Sequence, residues 1–399
     1  MSVKSSVTRR KFMGGMAGLV GYLGLCLELP LSAQTVAPVG VARRVPASFA
    51  DYDSLAKLAF NENPYGPTES VIKTMTGALK YANRYHYPDG GIVQAIAAHH
   101  GVGPENILLG AGSTEILDIV DSTFLQDGRK VIGVEPTFGT VYEFALGLKS
   151  DAIRLVLLPD HRQDIPAIIK TAKENRTAVG LVYVCNPNNP TGIIVPKVEI
   201  KQLLDELPEG LPVLIDEAYH HFVEDPNYAT SVPYVMEGRP VIVTRTFSKM
   251  AGLAGMRLGY GVASQSIIEQ MRPHSTELGV NVLVKWGGVA ALQDTTALDE
   301  LRRKTLQLRN KTTADLEDYG YDVIPSEANF FMVHLRRQVR PIIEEFRHRG
   351  ILVGRPFPPM LEYLRVSVGD AGEMGRFLAA FKEILPVGNS KPWSARQSG

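Results

Sequence analysis

Val241-Ile-Val-Thr244-Arg-Thr246-Phe-Ser248-Lys249 sets a β-branched apolar run directly before two hydroxyls and a lysine; after Gly252, Gly255 and Arg257, a second such run follows at Gly259–Ala263. Apolar runs bounded by glycine read as buried strands. A lone lysine is usually exposed and inert, but Lys249 follows a buried strand, stands beside a hydroxyl and precedes an arginine by eight residues. The segment is too rich in glycine to be a solvated helix face. This setting suits an amine that forms a Schiff base.

Working outward, strands are expected at Ile107–Leu109, Lys130–Val134, Ala152–Leu157, Val179–Val184 and Val213–Ile215, with longer amphipathic stretches between them. Together with the two runs above they predict an α/β domain with a mostly parallel seven-stranded sheet. From residue 295 the pattern changes. Leu298, Leu301, Thr305, Leu308, Thr312 and Leu316 recur at helical spacing up to Gly320, and shorter strands at Tyr321–Val323, Phe330–His334 and Leu364–Val368 precede a last helix bearing Phe377, Phe381 and Ile384. These elements predict a smaller α+β domain. The expected division is 34–65 as linker and N-terminal arm, 66–294 as large domain, 295–386 as small domain and 387–399 as a frayed tail.

In open α/β sheets ligands bind beyond the carboxyl ends of the strands, so the residues just after each run matter most. Gly110-Ala-Gly112-Ser113-Thr114 leads a strand into a helix and supplies free N–H groups and two hydroxyls, a phosphate cradle. Glu115 occupies the third glycine position of a dinucleotide fingerprint, which excludes that motif. In Asn186-Pro-Asn-Asn189-Pro-Thr-Gly192 two prolines fix φ twice and hold the Asn189 amide in place. Val213-Leu-Ile215-Asp216-Glu217-Ala-Tyr219 delivers the Asp216 carboxylate to the sheet edge, with Glu217 pointing the other way.

Composition narrows the function classes. The 399 residues carry 42 basic and 42 acidic groups, a balance that argues against holding polyanionic nucleic acid. With only Cys26 and Cys185, CxxC zinc sites are excluded. The pairs His99-His100 and His220-His221 are adjacent, so on a helix or strand their rings are expected to point apart, and no metal is expected. Trp286 reads as core.

Residues 1–33 read as a cleavable export signal, with Lys4, Arg9, Arg10 and Lys11 before an apolar stretch from Phe12 to Leu27. Thr8-Arg9-Arg10-Lys11-Phe12-Met13 resembles the twin-arginine motif, which implies the twin-arginine translocation machinery as partner and a periplasmic destination reached after folding. Removal of these residues leaves 38 basic and 41 acidic groups and a single cysteine.

Asn189, Asp216, Lys249 and Arg257, in this order and at these spacings, resemble the fold-type I pyridoxal-phosphate enzymes, specifically the class I/II aminotransferases of the histidinol-phosphate aminotransferase branch. The resemblance extends over Asn61-Glu-Asn-Pro-Tyr65-Gly-Pro, Tyr87-Pro-Asp-Gly90, Pro136-Thr-Phe138, Ser326–Phe330 and Arg365-Val-Ser-Val-Gly369. It implies that Lys249 carries the cofactor as a Schiff base and then acts as general base, that Asp216 pairs with the pyridine nitrogen, and that Asn189 and Tyr219 bind the ring oxygen. It further implies that Phe138 stacks on the ring, that Ser113, Thr114, Thr246, Ser248 and Arg257 hold the phosphate, and that Tyr87 reaches it from the second subunit of a homodimer. Arg365 is implied to clamp the substrate carboxylate, with Tyr65, Asn329 and Arg355 as further substrate contacts.

Gly354 stands where the family places its arginine, so Arg355 is shifted by one position, and export fits poorly with histidine biosynthesis. The reaction expected is therefore transfer of an amino group between an amino acid or amine and a 2-oxo acid, with no donor named. The alternatives are decarboxylation, as in the threonine-phosphate decarboxylase branch, or racemisation. A non-catalytic binding protein on the same fold is a further alternative, which the intact pair of Lys249 and Asp216 opposes.

Overall fold

The computed structural model describes residues 49–85, 88–276 and 279–388. The export signal and Tyr87 lie outside them. The chain divides at Asp53; ahead of it the described residues begin one short helix, Phe49–Asp53. The features below belong to the second unit.

The strands are β1 (Ala56–Leu58), β2 (Ile107–Gly110), β3 (Lys130–Glu135), β4 (Ala152–Val156), β5 (Val179–Cys185), β6 (Val213–Asp216), β7 (Val241–Thr246), β8 (Gly259–Ala263), β9 (Asp322–Ile324), β10 (Phe330–His334), β11 (Ile351–Val353) and β12 (Tyr363–Ser367). Strands β2 to β8, the seven expected from sequence, form one sheet in the order β2-β8-β7-β6-β5-β3-β4. Only β8 runs against its neighbours β7 and β2, and the remaining pairs are parallel. The carboxyl ends of β2, β5, β6 and β7 therefore meet at one edge, where Cys185 is level with Asp216 and Asp216 with Thr244.

A central parallel strand is covered on both faces, which explains why these runs are continuously apolar rather than alternating. All seven residues of β5 and all six of β7 are buried. Each large aliphatic side chain hidden this way contributes roughly 1.5–3 kcal/mol relative to exposure. The helix Ser113–Phe124 begins directly after Gly112, whose φ of 80° suits glycine and lets the chain turn sharply off β2.

A second sheet, β12-β10-β9, is antiparallel and packs with the helices Thr295–Asp318, Val339–His348 and Ala371–Ile384. The last helix starts with a capping box, in which Asp370 accepts from the Glu373 backbone N–H at 2.8 Å and Glu373 accepts from that of Asp370 at 3.0 Å. Two strand expectations are displaced by one residue, with β9 one later and β12 one earlier. Strand β1 was not expected. It pairs in parallel with β11, and the Lys57 N–H donates to Glu373 at 2.8 Å. A three-residue strand has no periodicity of its own and forms only because distant partners exist.

Candidate active site

Strand β1 runs into a short strap, residues 59–63, that lies across the carboxyl edge of the large sheet. The Ala59 carbonyl accepts from Arg365 Nη2 at 2.6 Å, and the Phe60 carbonyl accepts from Lys249 Nζ at 3.0 Å. Asn61 is buried at φ 55°; its Nδ2 donates to the Tyr219 hydroxyl at 3.1 Å, and its Oδ1 accepts from the Ser367 hydroxyl at 2.8 Å. Asn63 Nδ2 donates to the Met250 carbonyl at 2.8 Å. Asn329 is turned to this strap, donating to the Asn61 carbonyl at 3.0 Å while its own Oδ1, also buried, has no partner.

Behind the strap the side chains form a continuous set. Asn189 Nδ2 donates to the Tyr219 hydroxyl at 3.2 Å, and Asn189 Oδ1 accepts from Arg365 Nη1 at 2.6 Å. Lys249 Nζ lies 5.7 Å from the centre of the Tyr219 ring. Burial, then the Arg365 charge, bring the Lys249 amine down to about 8, while Glu62 and Asp216 oppose the shift. Burial raises the Asp216 carboxyl to about 7 against the Ala218 N–H, which donates to it at 3.1 Å, and against Lys249. An ionised Asp216 therefore calls for a cationic N–H partner.

A second group gathers at the start of the helix Ser113–Phe124. Arg257, at φ 60°, donates from Nη2 to the Ala111 carbonyl at 3.1 Å and from Nη1 to the Ala254 carbonyl at 3.0 Å, with the Ser248 hydroxyl at 3.5 Å. The Thr246 hydroxyl donates to that of Ser248 at 2.8 Å. A Cβ on Gly112 would lie 2.1 Å from Arg257 Nη2, and one on Gly259 would lie 2.2 Å from the Ser113 nitrogen. Glycine alone allows a guanidinium, two hydroxyls and a helix start to converge this closely, and together they make an anion cradle.

Arg365 carries the clearest electrostatic imbalance. It is buried, its Nε–H has no partner, and no carboxylate pairs with it among the described residues. Burial holds the guanidinium down to about 10. A buried cation without a counter-charge is where an anion belongs.

The remaining candidates sit as follows. Phe138 is half-buried just after β3, and Thr114 lies on the first turn of the helix that Ser113 opens. Tyr65 is 37% exposed, its N–H bonded to Asn63 and its ring 6.0 Å from Lys304 Nζ, so it stands outside the Lys249 group. Arg355 is exposed at the rim.

Sequence reasoning missed the strap contacts and the buried pair of Glu217 and Arg245. Glu217 lies on the side opposite Asp216, accepts from Arg245 Nη2 at 2.7 Å and Nε at 3.2 Å, and takes the Ser231 N–H at 2.6 Å. An acid beside a key residue on a buried strand was the available signal. The rings of His220 and His221 do not point apart; their centroids are 3.7 Å apart, because a 3-10 turn, His220–Phe222, offsets successive side chains by less than a strand would. Trp286 is half-buried rather than core, and its Nε1 donates to the Pro88 carbonyl at 2.9 Å.

Residues 53–381 match the family described as aminotransferase class I and II. The chain belongs to this family. It is 34% identical to the histidinol-phosphate aminotransferase of Moorella thermoacetica, over 96% of this chain and 99% of that one. It is 33% identical to histidinol-phosphate aminotransferase 2 of Carboxydothermus hydrogenoformans, over 84% and 92%. The solved histidinol-phosphate aminotransferase of Sinorhizobium meliloti, in complex with pyridoxal-5'-phosphate, superimposes with a TM-score of 0.77 at 26% identity, covering 82% of this chain and 90% of that one. This aminotransferase is thus a fold-type I, pyridoxal-phosphate-dependent enzyme whose substrates are small amino and keto acids. The anion cradle that a Cβ at Gly112 would fill, and the raised Asp216 carboxyl, both fit that cofactor.

Proposed function

We propose that this aminotransferase moves an amino group from an amino acid or amine to a 2-oxo acid, with Lys249 as covalent anchor and proton carrier and Arg365 as carboxylate clamp. The observation that carries the clamp is the buried Arg365, with one free N–H and no counter-charge among the described residues. A bidentate guanidinium suits a carboxylate better than a point charge does.

When bound, pyridoxal phosphate supplies an electron sink for charge that develops at the substrate α-carbon. The chain's own residues do the rest. Ser113, Thr114, Thr246, Ser248 and Arg257 would hold the phosphate, and Asp216 would keep the pyridine nitrogen in its N–H form. Asn189 and Tyr219 would hold the ring oxygen, and the Asn189 contact to Arg365 links that end of the site to the clamp. Phe138 would cover the ring. Lys249 Nζ takes the proton from the substrate α-carbon, a step open to an amine already lowered toward neutrality.

The working unit in this proposal is a homodimer in which Tyr87 crosses to the neighbouring phosphate site. The enzyme folds in the cytoplasm and leaves through the twin-arginine machinery as directed by Arg9 and Arg10. Sedimentation tests the dimer. Replacing both arginines by lysine tests export, which unchanged localisation would refute.

The deciding experiment supplies the holoenzyme with a panel of amino donors and 2-oxoglutarate, and follows keto-acid formation against carbon dioxide release. Keto acid without carbon dioxide is expected. Carbon dioxide without keto acid would replace transamination by decarboxylation.

A further inference from the structure

Arg365 shares an aromatic neighbour with a second cation. Its guanidinium carbon lies 4.7 Å from the centre of the Phe357 ring and 5.4 Å from that of Phe330, which itself meets Tyr219 edge to face at 5.0 Å. The guanidinium carbon of Arg355 lies 4.4 Å from the same Phe357 ring. Phe357 is 4% exposed, whereas Arg355 is exposed. An aromatic face attracts a cation through its quadrupole, and among the described residues Phe357 is the one ring that holds both.

The two arginines are moored unequally. Arg365 has Asn189, the Ala59 carbonyl and two rings. Arg355 has the Phe357 ring, the carbonyl of its own neighbour Pro356 at 3.0 Å, and the field of Glu143. Removing the ring therefore frees Arg355 far more than Arg365. Phe357 acts on ligands through the arginines and not by touching the reacting atoms.

We propose that Phe357 is a specificity-determining positioning residue, whose ring keeps Arg355 at the mouth of the site in step with Arg365 and so favours ligands with two anionic groups over ligands with one. The ligand class is a short dicarboxylate, one end on the free Nε–H side of Arg365 and the other on Arg355. The proposal rests on Arg365 taking a carboxylate.

The test is calorimetric titration of the holoenzyme with glutarate and with butyrate, neither of which has an amine or a 2-oxo group to react. In Phe357→Leu, glutarate should bind about tenfold more weakly, within the range of a cation–π contact, and butyrate less than threefold more weakly. Phe357→Tyr keeps a ring and should keep both affinities within threefold. In an Arg355→Gln background, Phe357→Leu should cost glutarate nothing further. Equal weakening of both ligands, or a glutarate loss undiminished in that background, would overturn the role of Phe357. Phe357→Met serves the same comparison should the leucine variant fail to fold. Arg365→Leu separates the premise: unchanged affinity for both ligands in that variant would remove the carboxylate clamp itself, whatever Phe357 does.

Discussion

Asp121 is fully buried in the helix Ser113–Phe124, and neither of its carboxylate oxygens has a hydrogen-bond partner. Burial, reinforced by Asp118, raises its carboxyl from 3.8 to about 8. The folded protein therefore keeps a proton there that the unfolded chain releases above about pH 4. The folded state binds more protons across that window, so stability falls as pH rises from about 4 to about 8. At 1.36 kcal/mol per pH unit the full difference is about 6 kcal/mol, and local relaxation leaves a few kcal/mol of it. Asp121→Asn resembles the protonated acid and removes the titration. Urea unfolding at pH 5 and pH 8.5 should therefore show the variant's stability advantage over wild type growing by about 2–4 kcal/mol between the two. Parallel loss of stability in wild type and variant would refute the assignment.

Glu217→Gln leaves the buried Arg245 charge without its carboxylate, and chemical denaturation should register a loss of about 3–5 kcal/mol, recovered in part when Arg245 is also replaced by methionine. His100 and His221 are held down to about 3, burial being the larger cause and Arg245 the next. They stay neutral in the fold, so the stability they support is present above about pH 6.5 and lost as pH falls toward 3; Tm measured at pH 7 and pH 5 should drop less for His221→Gln than for wild type. Gly112→Ala puts a Cβ against Arg257 at a φ of 80°, and cofactor titration followed by absorbance should show at least about tenfold weaker binding with the fold retained.

The large sheet was legible because its strands are long enough, and buried on both faces, to read as unbroken apolar runs. Asp216, Thr246 and Ser248 could be placed because each stands at or just after the carboxyl end of such a run. The helix Thr295–Asp318 was legible for the complementary reason, a spacing kept through six turns up to Gly320, where φ reaches 89°. What escaped depends on contacts between distant segments. Asn61 meets Ser367 across 306 positions and Tyr219 across 158, and although the family resemblance marks its segment, no local pattern predicts those partners. For Glu217, strand alternation gives its side but not the arginine waiting there.

The central claim is that Lys249 is the covalent anchor of the cofactor. Borohydride reduction of the purified holoenzyme, followed by proteolysis and mass spectrometry, reads it directly. A pyridoxyl-phosphate group on Lys249, absent from Lys249→Ala along with the visible absorbance, is the expected outcome. The group on another lysine, or a colourless wild-type protein after incubation with pyridoxal phosphate, would overturn the claim.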